Sequence, residues 1–94
     1  MGNYTFNIHF TGFKQVRLEL FQGDQEIDAV DFGFDSNLDT VLIQSVDKIL
    51  KRNRITTSSL TEVKVVGDVD PNSSAYKIAQ TWIEAVKALK NIGN

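Results

Sequence analysis

The sequence predicts a single α/β domain, a two-layer sandwich whose elements follow the order β-β-β-α-β-α. Four segments alternate apolar with polar residues, which predicts strands because successive side chains of a strand point to opposite faces. Two longer segments carry apolar residues at spacings of three and four, which predicts helices. At 94 residues the chain fits one domain over residues 1–94, since half of it could not bury a core.

The first three predicted strands are joined by short turns. We expect them over residues 4–11, 15–20 and 26–34, with a break at Gly12 and a turn before the third strand. Ile27 and Ala29 lie out of phase with the apolar residues Val30, Phe32 and Phe34, so we expect a bulge or a local twist near Ala29.

The remaining elements form a helix-strand-helix unit. Residues 35–37 offer capping side chains for the first helix, which is expected to end at residues 52–54. A fourth strand is expected over residues 60–66, and Ser73 or Ser74 is expected to cap the last helix. The apolar stripe of that helix consists of Ala75, Ile78, Ala79, Trp82, Ile83, Val86 and Leu89.

The alternation in the strands also predicts how the layers are arranged. Strands buried on both faces would read as continuous apolar runs, whereas the first, second and fourth strands each have one apolar and one polar face. Both helices should therefore pack on one face of a four-stranded mixed sheet. The other face is expected to be exposed and to carry Asn7, His9, Arg17, Glu19 and Lys64.

The charge of the chain disfavours nucleic-acid binding. Ten basic and twelve acidic residues give a net charge of −2, whereas contacts with phosphates need a basic surface. One basic cluster lies at the end of the first predicted helix, where cations also complement the helix dipole. It consists of Lys48, Lys51, Arg52 and Arg54. Weak RNA binding through this cluster is kept as a second alternative function.

Several chemistries lack the residues they need. There is no cysteine, and His9 is the only histidine, while metal sites and catalytic triads require several converging groups. The segment from Asp35 resembles a calcium loop but has Thr40 and Val46 where glycine and glutamate are required. We therefore expect no enzyme activity, no metal and no cofactor. No membrane span or signal peptide is visible, so a cytoplasmic location is expected.

The element order resembles one half of a ribonuclease H-like or actin-like ATPase fold. More specifically, the chain resembles the N-terminal domain of the TsaB family, glycoprotease-like partner proteins in bacterial tRNA threonylcarbamoyladenosine synthesis. That family has a first strand with an Ile-Asp-Thr-Ser motif, and residues 7–11 here read Asn-Ile-His-Phe-Thr. Its helix carries a Leu-Leu-Pro-x-Ile-Asp-x-Leu-Leu pattern, and residues 42–50 here read Leu-Ile-Gln-Ser-Val-Asp-Lys-Ile-Leu.

The resemblance implies a site that has degenerated. His9 stands where the family has its nucleotide-site aspartate, and the family's second domain has no counterpart in these residues. The family's glycine-rich phosphate loop corresponds to Asp70, Pro71, Asn72, Ser73 and Ser74. Losing the carboxylate and the glycines removes a magnesium ligand and close backbone approach to phosphate.

The function that the resemblance implies is therefore a non-catalytic protein–protein interaction module. Its expected partner is a second copy, giving a homodimer, or a larger actin-like homologue. The alternative is a small ligand- or nucleotide-binding protein or enzyme with a pocket near His9 and the loop of residues 67–74.

Overall fold

The computed structural model describes the backbone of residues 3–92 and the side chains of residues 3–88. The predicted order of elements is confirmed, and a single turn of 3-10 helix at Thr57–Ser59 precedes the last strand. The elements are β1 (Tyr4–Gly12), β2 (Gln15–Gln22), β3 (Gln25–Gly33), α1 (Leu38–Asn53), β4 (Leu60–Gly67) and α2 (Ser74–Ile92). Neither of the two described helices combines the length and hydropathy that crossing a membrane requires.

The four strands form one mixed sheet in the order β3-β2-β1-β4. β1 is antiparallel to β2 and parallel to β4, while β2 and β3 are antiparallel. The register places Phe6 opposite Leu20 and Ile8 opposite Leu18, so apolar side chains of neighbouring strands lie on the same face. The predicted mixed sheet is thus confirmed, with β1 at its centre.

The core lies between one face of this sheet and the two helices, as predicted. Its side chains come from alternate residues of the strands and from one stripe of each helix, because only those positions face the other layer. Burying each such side chain contributes roughly 1.5–3 kcal/mol. The largest fully buried members are Phe6, Ile8, Val16, Leu18, Leu20, Leu38, Leu42, Ile49 and Leu60. The predicted stripe residue Leu89 lies outside the described side chains.

The two helices begin differently. Asn37 occupies the N-cap position of α1, but its side chain does not cap the helix, so the expected capping by residues 35–37 is wrong. Instead, Asn37 Oδ1 accepts a 3.0 Å hydrogen bond from the backbone N–H of Asp35. The hydroxyl of Ser73 accepts a 3.2 Å bond from the N–H of Tyr76, which confirms the predicted cap of α2.

β3 contains a bulge at Ile27, earlier in the strand than the predicted position near Ala29. Leu20 pairs with Asp28 but the next residue, Phe21, pairs with Glu26, so Ile27 is the extra residue. Since Leu20 faces the helices, its partner Asp28 also points to the helical side of the sheet. Asp28 is in regular alternation with Val30 and Phe32, so its carboxylate lies on the side of α1, whereas the bulge shifts Glu26 to the position opposite Phe21 on the open face.

Asp28 fixes the C-terminal end of α1 to the edge of the sheet. The guanidinium of Arg52 donates to both carboxylate oxygens, at 2.7 and 2.5 Å, and the side-chain amide of Asn53 donates at 2.7 Å. Hydrogen bonding to Arg52 is the main cause that lowers the pKa of Asp28 from 3.8 to about 2, and the Asn53 amide adds to it. Such charge-assisted bonds are stronger than neutral ones, so this contact stabilises the helix–sheet packing.

We expect Asp28→Asn to lower the free energy of unfolding by about 1–2 kcal/mol at pH 7, because it removes the charge of these hydrogen bonds. The folded-state pKa is depressed, so the stabilisation is present above pH 4 and is lost as the pH falls towards 2. Urea unfolding at pH 7, 5, 3 and 2 measures this difference. Asp24→Asn, in the exposed turn before β3, is the control and should change little. A difference between Asp28→Asn and wild type that stays constant from pH 5 to pH 2 would contradict the assignment.

Candidate functional site

A cleft of about 850 Å³ lies at the edge of the sheet where β1 and β4 end. Because these strands are parallel, their carboxyl ends meet at this edge, which is a common location of ligand sites in α/β sheets. Both helices begin here, since Leu38 of α1 and Ala75 of α2 line the cleft. The lining residues are Phe10, Thr11, Gly12, Phe13, Lys14, Phe34, Asp35, Ser36, Leu38, Asp68, Val69, Asp70, Ser73, Ser74, Ala75 and Ile78.

The cleft has an apolar floor and an acidic rim. Phe10 and Phe34 make an edge-to-face contact in the floor, with ring centres 6.5 Å apart. Lys14 is the single cation among the lining side chains, and its Nζ lies 3.4 Å from a carboxylate oxygen of Asp35. Asp68 and Asp70 add two further carboxylates. The rim therefore carries more negative than positive charge, which opposes the binding of phosphate groups.

The loop from Asp70 to Ser74, predicted at the family's phosphate-loop position, is tied into its own turn. Asp70 Oδ1 accepts the N–H of Asn72 at 2.9 Å, and the carbonyl oxygen of Asp70 accepts the hydroxyl of Ser73 at 2.7 Å. Asp70, Ser73 and Ser74 line the cleft, whereas Pro71 and Asn72 do not. The polar groups of Asp70 and Ser73 thus hold the turn and cap α2.

His9 lies on a different surface from this loop. Its ring is on the open face of the sheet, where Nδ1 is 3.4 Å from a carboxylate oxygen of Glu19, and it does not line the cleft. The predicted pocket near His9 and the 67–74 loop therefore divides into two places. Residues of the loop line the cleft, whereas His9 belongs to the polar face of the sheet.

The open face of the sheet carries a hydrogen-bonded charge network. Glu19 accepts bonds from Asn7 at 3.4 Å and from Arg17 at 3.2 Å, and its side chain is only 13% exposed. Arg17 also donates to Glu26 at 2.8 Å and to Asp31 at 3.1 Å, which raises the pKa of its guanidinium. These groups largely satisfy one another. One atom is the exception within residues 3–88, since the buried Oδ1 of Asn7 accepts no hydrogen bond.

A second recess, the helical groove, lies on the outer side of the helical layer between α1 and α2. It has a volume of about 400 Å³ and is mostly apolar. Ile43 on its rim is 56% exposed, and Trp82, a member of the predicted apolar stripe, lines it as well. Trp82 nevertheless keeps one edge in the core, with its ring centre 6.3 Å from that of Phe6. The lining residues are Asp39, Leu42, Ile43, Lys77, Ile78, Thr81, Trp82 and Ala85.

The basic cluster proposed for RNA is partly neutralised by neighbouring carboxylates. Arg52 binds Asp28, and Lys51 Nζ lies 2.9 Å from Asp47 one turn earlier in α1. Two of the four predicted cations are therefore already paired within the domain. No set of three or more His, Cys, Asp or Glu side chains is placed to hold a metal ion in the described part of the chain.

At Gly67 the end of β4 turns out of the sheet while its backbone stays in close contact with β1. The sequence pattern did not predict this role of Gly67. Its φ of +96° is a backbone conformation that residues with side chains rarely adopt. A Cβ atom there would overlap the carbonyl oxygen of Phe10 and would lie 2.8 Å from Cδ2 of His9. The loop of the cleft therefore starts from a position that only glycine fits.

We expect Gly67→Ala to lower the free energy of unfolding by about 2 kcal/mol or more, because it combines the unfavourable φ with the overlap at Phe10. Gly12→Ala is the matched control: the added Cβ would meet no atom closer than 4.0 Å, at Gln15. Thermal or urea unfolding of both variants makes the comparison. Equal stability of the two variants would contradict this account of Gly67.

The sequence matches no family model and none of the curated proteins. The fold, however, is similar to that of YeaZ from Pseudomonas aeruginosa, with a TM-score of 0.76 and 10% sequence identity. The similarity covers 95% of this chain and 40% of that chain, so this chain spans less than half the length of YeaZ. YeaZ is a TsaB protein. This chain therefore has the fold of the TsaB N-terminal half, which confirms the predicted resemblance at the level of architecture.

Proposed function

We propose that this chain is a non-catalytic, cytoplasmic protein–protein interaction module that binds a larger actin-like homologue through the helical groove. The observation that carries the proposal is the apolar character of that groove, with Ile43 56% exposed and Trp82 half-buried beside it. Isolated exposed apolar residues are ordinary, whereas an apolar recess with an aromatic wall is typical of partner sites. The similarity to the TsaB fold supports a partner of related architecture.

The shape of the helical groove suits a helix. Since α1 and α2 both begin at the carboxyl edge of the sheet, they run in the same direction and leave a furrow between them. An amphipathic helix of a partner can place its apolar side chains in such a furrow. Asp39 and Lys77 flank it with opposite charges, which gives the apolar centre a polar rim.

The other surfaces support a role without catalysis. The open sheet face carries charged groups that already bind one another, so docking there would require their desolvation. In the cleft, the hydroxyl of Ser73 is committed to the α2 cap, and the single histidine lies elsewhere. Nucleophile, base and phosphate-binding groups are therefore not assembled in one place among the described residues.

A second candidate function is favoured by the size of the cleft. A recess of about 850 Å³ with an apolar floor is large enough for a small molecule. Its acidic rim favours a neutral or cationic ligand over a nucleotide, because Lys14 alone opposes the carboxylates of Asp35, Asp68 and Asp70.

Ile43→Asp should weaken binding to the larger actin-like homologue of the same organism by at least about tenfold, because it places a charge in an apolar contact. Gln44→Asp is the matched control: it introduces the same exposed carboxylate on α1 but outside the helical groove. Isothermal titration of the purified homologue with each variant measures both. Equal weakening by the two variants, or undiminished binding of Ile43→Asp, would exclude the groove. If the homologue does not bind, and Ile43→Asp instead weakens an association between two copies of this chain, then the partner at the groove is a second copy and the module is a homodimer.

A thermal-shift screen separates the two candidate functions. We expect no change in the melting temperature of the protein with 5 mM ATP and Mg²⁺, since the acidic rim repels the phosphates. A small molecule that binds in the cleft should instead raise the melting temperature. A clear rise with ATP and Mg²⁺ that Lys14→Glu abolishes would favour a nucleotide-binding function over the interaction module.

A further inference from the structure

Phe13 is the most exposed large apolar side chain among residues 3–88, with a relative exposure of 87%. It lies in the turn between β1 and β2 and forms part of the lining of the cleft at the carboxyl edge of the sheet. Ile43, the next most exposed, belongs to the helical groove, whereas Phe13 does not line that groove. A ligand that covered the Phe13 ring would remove this apolar surface from water.

A cation already lies against this ring. The Nζ atom of Lys14 is 5.3 Å from the centre of the Phe13 ring and 3.4 Å from a carboxylate oxygen of Asp35. An aromatic face and a carboxylate are both groups that attract ammonium ions. The side chains of Lys14 and Asp35 are 47% and 87% exposed, so their ion pair is weak and the ammonium of a ligand can replace the lysine.

The carboxylates of the cleft exceed its positive groups. Asp35, Asp68 and Asp70 oppose Lys14 and the N-terminal ends of the two helices, each of which carries about half a positive charge. The carboxylate of Asp70 accepts the N–H of Asn72. The carboxylate of Asp68 makes no hydrogen bond or ion pair with the residues that the structure describes. A bound cation would therefore supply an electrostatic partner that Asp68 lacks.

We propose that the cleft binds a small organic ammonium ion with an apolar body. The body lies on the floor beside Phe10 and Phe34, and the ammonium lies at the rim, in place of Lys14 and between Phe13 and Asp35. The cleft volume of about 850 Å³ is within the range of about 300–1,000 Å³ that small-molecule sites occupy. The inference rests on the second candidate function, a ligand in the cleft, and adds the chemical class of that ligand.

Three probes of nearly equal size test this class. Phenethylammonium, phenethyl alcohol and phenylacetate each carry a phenyl ring on a short chain and differ in charge. We expect phenethylammonium to bind at least about tenfold more tightly than phenylacetate, and more tightly than the alcohol, because the rim is acidic. Titrations followed by backbone amide chemical shifts give the three dissociation constants. The shifts should change around the cleft, at residues 10–14, 34–38 and 67–78.

The outcomes separate this proposal from the functions on which it builds. Equal binding of the three probes, or tighter binding of phenylacetate, would overturn the cationic class but leave the cleft as a ligand site. No saturable shift with any probe at about 10 mM would overturn both. Ile43→Asp should bind phenethylammonium like wild type, since Ile43 lies outside the cleft, so failure of the helical-groove experiment would leave this result unchanged.

Two substitutions at the rim test the position of the ammonium. Lys14→Met removes the competing cation and should tighten phenethylammonium binding by at least about threefold, with little change for phenethyl alcohol. Lys48→Met is the matched control, because it removes an exposed cation outside the cleft. Phe13→Leu keeps an apolar side chain without the aromatic face and should weaken phenethylammonium binding about twofold or more. Weaker binding to Lys14→Met, or unchanged binding to Phe13→Leu, would overturn the proposed position.

Discussion

The packing of both helices against one face of the sheet determines which surfaces this domain can use. The strands bury one set of alternate side chains under α1 and α2, and Phe6 and Ile8 at the centre of that face are fully buried. Among the described residues, no third layer covers the other face of the sheet. The open sheet face, the outer side of the helices and the carboxyl edge are therefore the surfaces on which a binding site can be sought.

These surfaces differ in what they offer. On the open face, Glu19 and Arg17 are surrounded by groups of opposite charge, so a partner would have to replace existing bonds. The helical groove needs no such exchange, because its walls are mostly apolar. This difference is the reason for proposing the helical layer as the partner surface, with the hydrophobic effect as the driving force and the charges of the rim as a contribution to orientation. The cleft lies at the carboxyl edge of the sheet, where ligand sites are common in α/β folds, but the negative charge of its rim opposes the binding of phosphate groups.

Most of the architecture could be predicted from the sequence, because period-two and helical patterns report directly which side chains are buried. The exposed sheet face and the Ser73 cap followed from the same local signals. The bulge at Ile27 was displaced from its predicted position, since pairing with β2 decides where the extra residue lies. The bonds of Asp28 to Arg52 were not foreseen, because they join residues 24 positions apart.

The candidate sites were less predictable for the same reason. The strand alternation placed His9 on the exposed face, whereas the resemblance linked it to the 67–74 loop. The structure shows that the alternation was the better guide, since His9 does not line the cleft. The helical groove depends on how far α1 and α2 stand apart, which the apolar stripe of each helix does not specify. Trp82 packs against the core, as its place in the apolar stripe predicted, but that stripe did not show that it also lines the groove.

Hydrogen–deuterium exchange of the chain, alone and with the larger actin-like homologue, tests the central claim most directly. Binding through the helical groove predicts slower exchange of the α1 and α2 amides around Ile43 and Trp82, with the residues of the cleft unchanged. Slower exchange confined to residues 10–14 and 67–75 would place the partner at the cleft. Unchanged exchange throughout, at concentrations where the homologue is in excess, would contradict the interaction module itself.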